Sequence, residues 1–277
     1  MANLRKKRRR RHPRPGRVIP LLPSMLTTVG LAFGLASIVT SISIHGDRAS
    51  AVVSEEWLFN RFWWAAGFIG MAVLVDMLDG RIARALNSES RFGASYDSLC
   101  DLVSFGVAPA VLLYVWGLSE YGNPGLMAML FYVVCAALRL ARFNVQFTTK
   151  EKRMFTGLPS PMAAGLILSP ILLLSEFQIV ATPLMKSFYL FFVPVVGLVM
   201  VSEVPYRKFP RIARFGPFST LVAGSIIIAA LITNPGVIAV LITYCYFILE
   251  LGRCAWKLAA KATSRDKESE ALASDES

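Results

Sequence analysis

Long apolar runs, broken by short polar stretches, make up most of the chain. They fall near residues 20–44, 61–84, 97–118, 124–143, 158–176, 184–204, 217–233 and 235–256. Each is close to the ~20 residues that a helix needs to cross the hydrocarbon core of a bilayer. The pattern therefore predicts an all-α fold, a polytopic membrane helical bundle of eight crossings. A single transmembrane domain is expected over 18–257. It lies between a basic tail at 1–17, too charged to pack, and a flexible C-terminal tail at 258–277 rich in Ser, Asp and Glu. No internal repeat or second soluble domain interrupts this arrangement.

Composition agrees. Of 277 residues, 55% are hydrophobic, and the mean hydropathy is +0.54, which excludes an ordinary soluble domain. The net charge of +11 takes its meaning from where the basic residues fall. With eight crossings, Arg5–Arg11, Arg139–Arg153, Arg207–Arg214 and Arg253–Lys267 all lie on one side, together with Arg81, Arg84 and Arg91. Arg48, Arg61 and Lys186 are left for the other side, beside Asp47, Glu55, Glu56, Glu120 and Glu176. The positive-inside rule then places both termini on the cytoplasmic side. A polybasic segment next to a span reads as a contact with anionic membrane lipids, and no nucleic-acid partner is expected.

Chemistry concentrates in one place. Asp76, Asp79, Asp97 and Asp101 stand at the ends of the second and third runs, where ionised groups are costly and usually functional. On helices, Asp76, Asp79, Gly80, Ala83 and Arg84 share one broad face, and Asp97 and Asp101 stack at i and i+4. Four converging carboxylates repel unless cations sit among them. Two divalent cations balance their formal charge, and hard oxygen ligands favour Mg²⁺ or Mn²⁺. The histidines, His12 and His45, are remote, so no Ser-His-Asp or Cys-His triad can form and a carboxylate must carry any proton. The cysteines show no metal-ligand spacing; Cys100 is expected to point away from the Asp97/Asp101 face.

The pattern D-x2-D-G-x2-A-R-x8-G-x3-D-x3-D is filled by Asp76, Asp79, Gly80, Ala83, Arg84, Gly93, Asp97 and Asp101. It resembles the motif of the CDP-alcohol phosphatidyltransferases. The flanking stretches Phe92–Ala110, Leu138–Asn144 and Gly157–Pro161 resemble the serine-using bacterial members of that family. The resemblance implies a catalytic transmembrane domain that transfers the phosphatidyl group of CDP-diacylglycerol to L-serine and releases CMP. It also implies Asp76, Asp79 and Asp97 as metal ligands, and Asp101 as the general base and a further ligand. Asp79, Gly80, Ala83, Arg84 and Gly93 would line the nucleotide. Taken alone, Gly80, Ala83 and Gly93 suit tight helix packing, but within the full motif the nucleotide contact is favoured; Arg84 equally suits an anchor at the membrane surface. The asymmetry of basic residues also places this site on the cytoplasmic side of a bacterial inner membrane, and the family implies a homodimer.

The acceptor pocket calls for a cation to meet the serine carboxylate. Arg139, Arg142 and Asn144 end the fourth run at the right depth, although anchoring explains the arginines as well. Gly157–Pro161 breaks the helix ahead of the fifth run and is expected to wall the pocket. Rival acceptors are glycerol 3-phosphate, inositol phosphate and choline. A cation transporter is the remaining alternative. It fits less well, because the acids lie at one membrane face and transport has no need of the Gly, Ala and Arg positions.

Overall fold

The computed structural model describes residues 21–49, 53–85, 91–148, 157–202, 225, 229–230 and 233–253. Among these residues all regular structure is helical. Helix α1 spans Leu21–Ala49, α2 Glu55–Ala85, α3 Arg91–Asp101, α4 Ala108–Trp116, α5 Asn123–Thr148, α6 Ser160–Glu176 and α7 Pro183–Val201. A final helix, α8, spans Pro235–Arg253. A π-helical segment, Leu102–Val107, joins α3 to α4, so the two form one continuous span.

Six helical stretches are long and apolar enough to cross a membrane, and α6, at 17 residues, is a shorter apolar helix. These account for seven of the eight predicted runs. The run at 217–233 lies mostly outside the described residues, as do both predicted tails. The helices alternate in direction. The N-terminal ends of α1, α3 and α6 meet the C-terminal ends of α2, α5 and α7 around the acidic motif. At the other end Gly236, in the first turn of α8, donates its N–H to Glu176 Oε2 at the close of α6 (2.7 Å).

Side-chain chemistry sets the helix ends. Ser54 Oγ accepts from Trp57 N (3.3 Å), and Glu55 and Glu56 follow in the first turn of α2, where the helix dipole favours acids. Thr182 caps α7 by accepting from Met185 N, with Pro183 at the first helical position. The principal packing pairs are α1 with α2, α5 with α7, and α2 with α6. Their shared core is Ala65, Ile69, Phe105, Leu112, Tyr132, Ile167 and their neighbours. Large apolar side chains such as Val39, Met71, Leu130 and Phe191 remain exposed, as expected of surfaces that face lipid tails.

Two glycines permit contacts that position the site. A Cβ at Gly34 of α1 would come within 2.8 Å of Ser104 Cα, so only glycine lets α1 approach the π segment this closely. Gly157 adopts φ +88°, and a Cβ there would collide with the carbonyl oxygen of Met200. With Leu158 N donating to Val199 O (3.4 Å), this corner fastens the start of α6 to the end of α7.

Candidate active site

The acidic motif lies where α1, α2 and α3 converge. Asp76 comes from α2, and Asp97 and Asp101 from successive turns of α3. One carboxylate oxygen from each of these three lies within 4.8 Å of the others. Asp79 is buried in the same cavity but is not part of this triad. Its Oδ2 accepts from Thr27 Oγ1 of α1 (2.8 Å). The structure thus gathers three of the four predicted acids around one point and turns the fourth towards a hydroxyl.

The triad suits a hard cation. Opposite oxygen ligands of an octahedral Mg²⁺ stand about 4.2 Å apart, within the reach of these three side chains, and all the donors are carboxylates. The cavity they line with Thr27, Asp79, Cys100 and Ser104 has about 10 Å³ of free space.

The π segment begins directly after Asp101. Its cause is local. Pro109 has no N–H, so the carbonyl of Phe105 loses its ordinary α-helical donor four residues on. Ala108 N instead bonds to Val103 O, five residues back. Tyr132, fully buried on α5, donates its hydroxyl to Phe105 O (2.9 Å). Ser104 Oγ donates to Gly30 O of α1 (3.2 Å). These two bonds clamp the turn that carries Asp101 between α1 and α5.

Arg139 of α5 lies near enough to Asp101 to attract it electrostatically. Its Nη1 donates to Ser160 Oγ at the start of α6 (2.9 Å), while its buried Nε has no acceptor. The predicted wall Gly157–Pro161 is therefore in contact with this arginine. Arg142 Nη1 donates to Val201 O (3.4 Å) at the end of α7. Asn144 Oδ1 accepts from Ser98 Oγ (3.0 Å), which ties α5 to α3 beside Asp97. Gly80 and Gly93 lie on α2 and α3 as the motif requires. Ala83 and Arg84 fall in the last turn of α2, and their side chains are outside the described part.

One expectation is overturned. Cys100 lines the acidic cavity instead of facing away from it. At i+3 from Asp97 it shares enough of that helix face to meet the space between α1 and α3. Thr27, Ser98, Ser104 and Tyr132 were absent from the predicted site. Each is a hydroxyl whose partner on another helix is set by packing rather than by spacing.

With this geometry in place, comparison with known proteins is decisive. The sequence pattern of the CDP-alcohol phosphatidyltransferases matches residues 20–201. The chain belongs to that family. Its relatives include a CDP-diacylglycerol–serine O-phosphatidyltransferase of Helicobacter pylori, 31% identical over 192 residues, 69% of this chain and 74% of the relative. A protein of the same name from Mycobacterium leprae is 36% identical over 205 residues, 71% of this chain and 62% of the relative. Another, from Methanocaldococcus jannaschii, is 37% identical over 154 residues, 56% of this chain and 67% of the relative. The family match spans α1 to α7 and so includes every acidic residue of the site. This member is an integral membrane protein, and the carboxylates that define its family stand at one end of the bundle.

Proposed function

We propose that the protein transfers the phosphatidyl group of CDP-diacylglycerol to L-serine, giving phosphatidylserine and CMP. The observation that carries this reading is the convergence of Asp76, Asp97 and Asp101 at one end of an apolar bundle, with Arg139 beside Asp101. A lipid whose tails stay in the membrane and whose diphosphate meets water needs a site at that depth. The relatives' shared name supplies the acceptor.

In this mechanism Asp76, Asp97 and Asp101 would hold a divalent cation, Mg²⁺ or Mn²⁺, and Asp79, steadied by Thr27, would complete the acidic set for a second. Bound there, such ions would neutralise the diphosphate and polarise its phosphoryl groups. Asp101 takes the proton of the serine hydroxyl. The serine oxygen bonds to the phosphorus that bears diacylglycerol, the bond from that phosphorus to the bridging oxygen breaks, and CMP departs with the electron pair. Arg139 receives the serine carboxylate, since its buried Nε lacks an acceptor and its neighbour Ser160 fixes the guanidinium plane. Arg142 and Asn144 border this pocket. Gly80, Ala83, Arg84 and Gly93 line the nucleotide along α2 and α3. The site faces the cytoplasm of a bacterial inner membrane, and two copies of the chain associate.

The test uses purified protein in detergent with CDP-diacylglycerol and Mg²⁺ or Mn²⁺. CMP release is followed with serine, glycerol 3-phosphate, inositol phosphate or choline as the sole acceptor. Release should require serine and stop with a chelator. Release driven by a different acceptor would overturn the serine pocket, and release that survives full chelation would overturn the metal. Mass measurement of the detergent complex checks the dimer.

A further inference from the structure

At the end of the bundle opposite the carboxylates lies a second cavity, of about 110 Å³. Arg48 at the end of α1, Glu55 at the start of α2, Trp116 at the end of α4 and Lys186 at the start of α7 all border it. Thr27, at the acidic site, and Arg48 are on the same helix about 30 Å apart at 1.5 Å per residue. The two cavities therefore open towards opposite faces of the membrane.

The charges here are arranged unusually. Lys186 forms an ion pair with Glu120, and Glu120 also attracts Arg48 electrostatically without pairing with it. Arg48 and Glu55 share the cavity, yet neither forms an ion pair with the other or with any other described residue. Arg48 is nonetheless held in place. Its Nη1 donates to Val115 O (2.8 Å), and its guanidinium lies 5.1 Å from the centre of the Phe62 ring. Those contacts fix the group while most of its five N–H donors stay available. Glu55 is exposed at the head of α2. A complementary ligand carries an anionic group for Arg48 and a cationic group for Glu55. Phe59, Phe62 and Trp116 add an apolar wall at the depth where the spans end, a surface that favours a ligand with a lipid body over a soluble zwitterion.

We infer that this cavity binds the headgroup of a zwitterionic phospholipid, with its phosphate on Arg48, its ammonium beside Glu55 and its glycerol end against the aromatic wall. The inference is independent of the proposed reaction, since no residue of the acidic site takes part.

Native mass spectrometry of the full chain in detergent tests it, with phosphatidylethanolamine or phosphatidylglycerol added separately. The unaltered protein should retain phosphatidylethanolamine preferentially. Glu55→Gln removes the charge that repels an anionic lipid, so it should reverse the preference. Arg48→Gln should weaken retention of both lipids about tenfold. Soluble phosphoethanolamine at the same concentration should displace neither. Equal retention of the two lipids by the unaltered protein, an unchanged preference in Glu55→Gln, or displacement by free phosphoethanolamine would each overturn the assignment. Should Arg48→Gln fail to fold, Glu55→Gln still decides, because Glu55 is exposed and only a binding role predicts a reversal.

Discussion

Asp101 stands between two influences: the carboxylates of Asp76 and Asp97 on one side and the guanidinium of Arg139 on the other. A group so placed can hold a cation, accept a proton, or do both in turn. Asp101→Asn keeps the shape and loses the basicity. It should leave CDP-diacylglycerol binding within a few-fold while turnover falls by about 10²–10⁴, read by comparing equilibrium binding with initial rates. A near-normal rate would remove Asp101 from the role of base. Thr27 is a different case. Its hydroxyl donates to Asp79, so Thr27→Val should cost about 10–100-fold in metal affinity or activity, and Thr27→Ser should restore most of it. The four acids were legible from sequence because their spacing is fixed by the helix. Thr27 was not, because a hydroxyl in an apolar run marks no partner until α1 is packed against α2.

The turn after Asp101 is where an element, rather than a residue, shapes the site. Proline at 109 removes the donor that would keep the helix in α register, and Tyr132 from another span satisfies the carbonyl left over. Tyr132→Phe strands that buried carbonyl and should lower stability by about 1–3 kcal/mol, measured by thermal unfolding in detergent. Pro109→Ala offers the missing N–H. It should raise thermal stability slightly while turnover falls by about 10²-fold, because a register change of this turn displaces Asp101. A Pro109→Ala variant with unchanged turnover would show that the π segment does not set the position of Asp101. Pro109 was visible in the sequence, but its effect was not. Whether a proline kinks, ends or widens a helix depends on which neighbour supplies the compensating bond, and Tyr132 lies 27 residues further on.

Across the whole molecule, the alternation of helix directions collects polar chemistry at both ends of an apolar bundle. The runs of hydrophobic residues predicted this outline well, since bilayer thickness fixes helix length. Helix contacts were beyond them, since apolar side chains pack against lipid or protein alike. Orientation in the membrane is testable at this scale. In a chain whose four cysteines are replaced by alanine, a single cysteine at Ser202 should react with an impermeant reagent only from the cytoplasmic side. One at Glu55 should react only from the other side. Labelling in the reverse sense would overturn the positive-inside assignment, and labelling of both from one side would overturn the alternation itself.

The narrowness of the acidic cavity has a consequence for pharmacology. As its walls stand, the cavity leaves about 10 Å³ free, so a ring or a branched group enters only if the lining side chains move. A molecule that blocks this protein without moving them lies across the mouth of the cavity and reaches inward with a small group. Its selectivity must come from what it touches along the flanking helices.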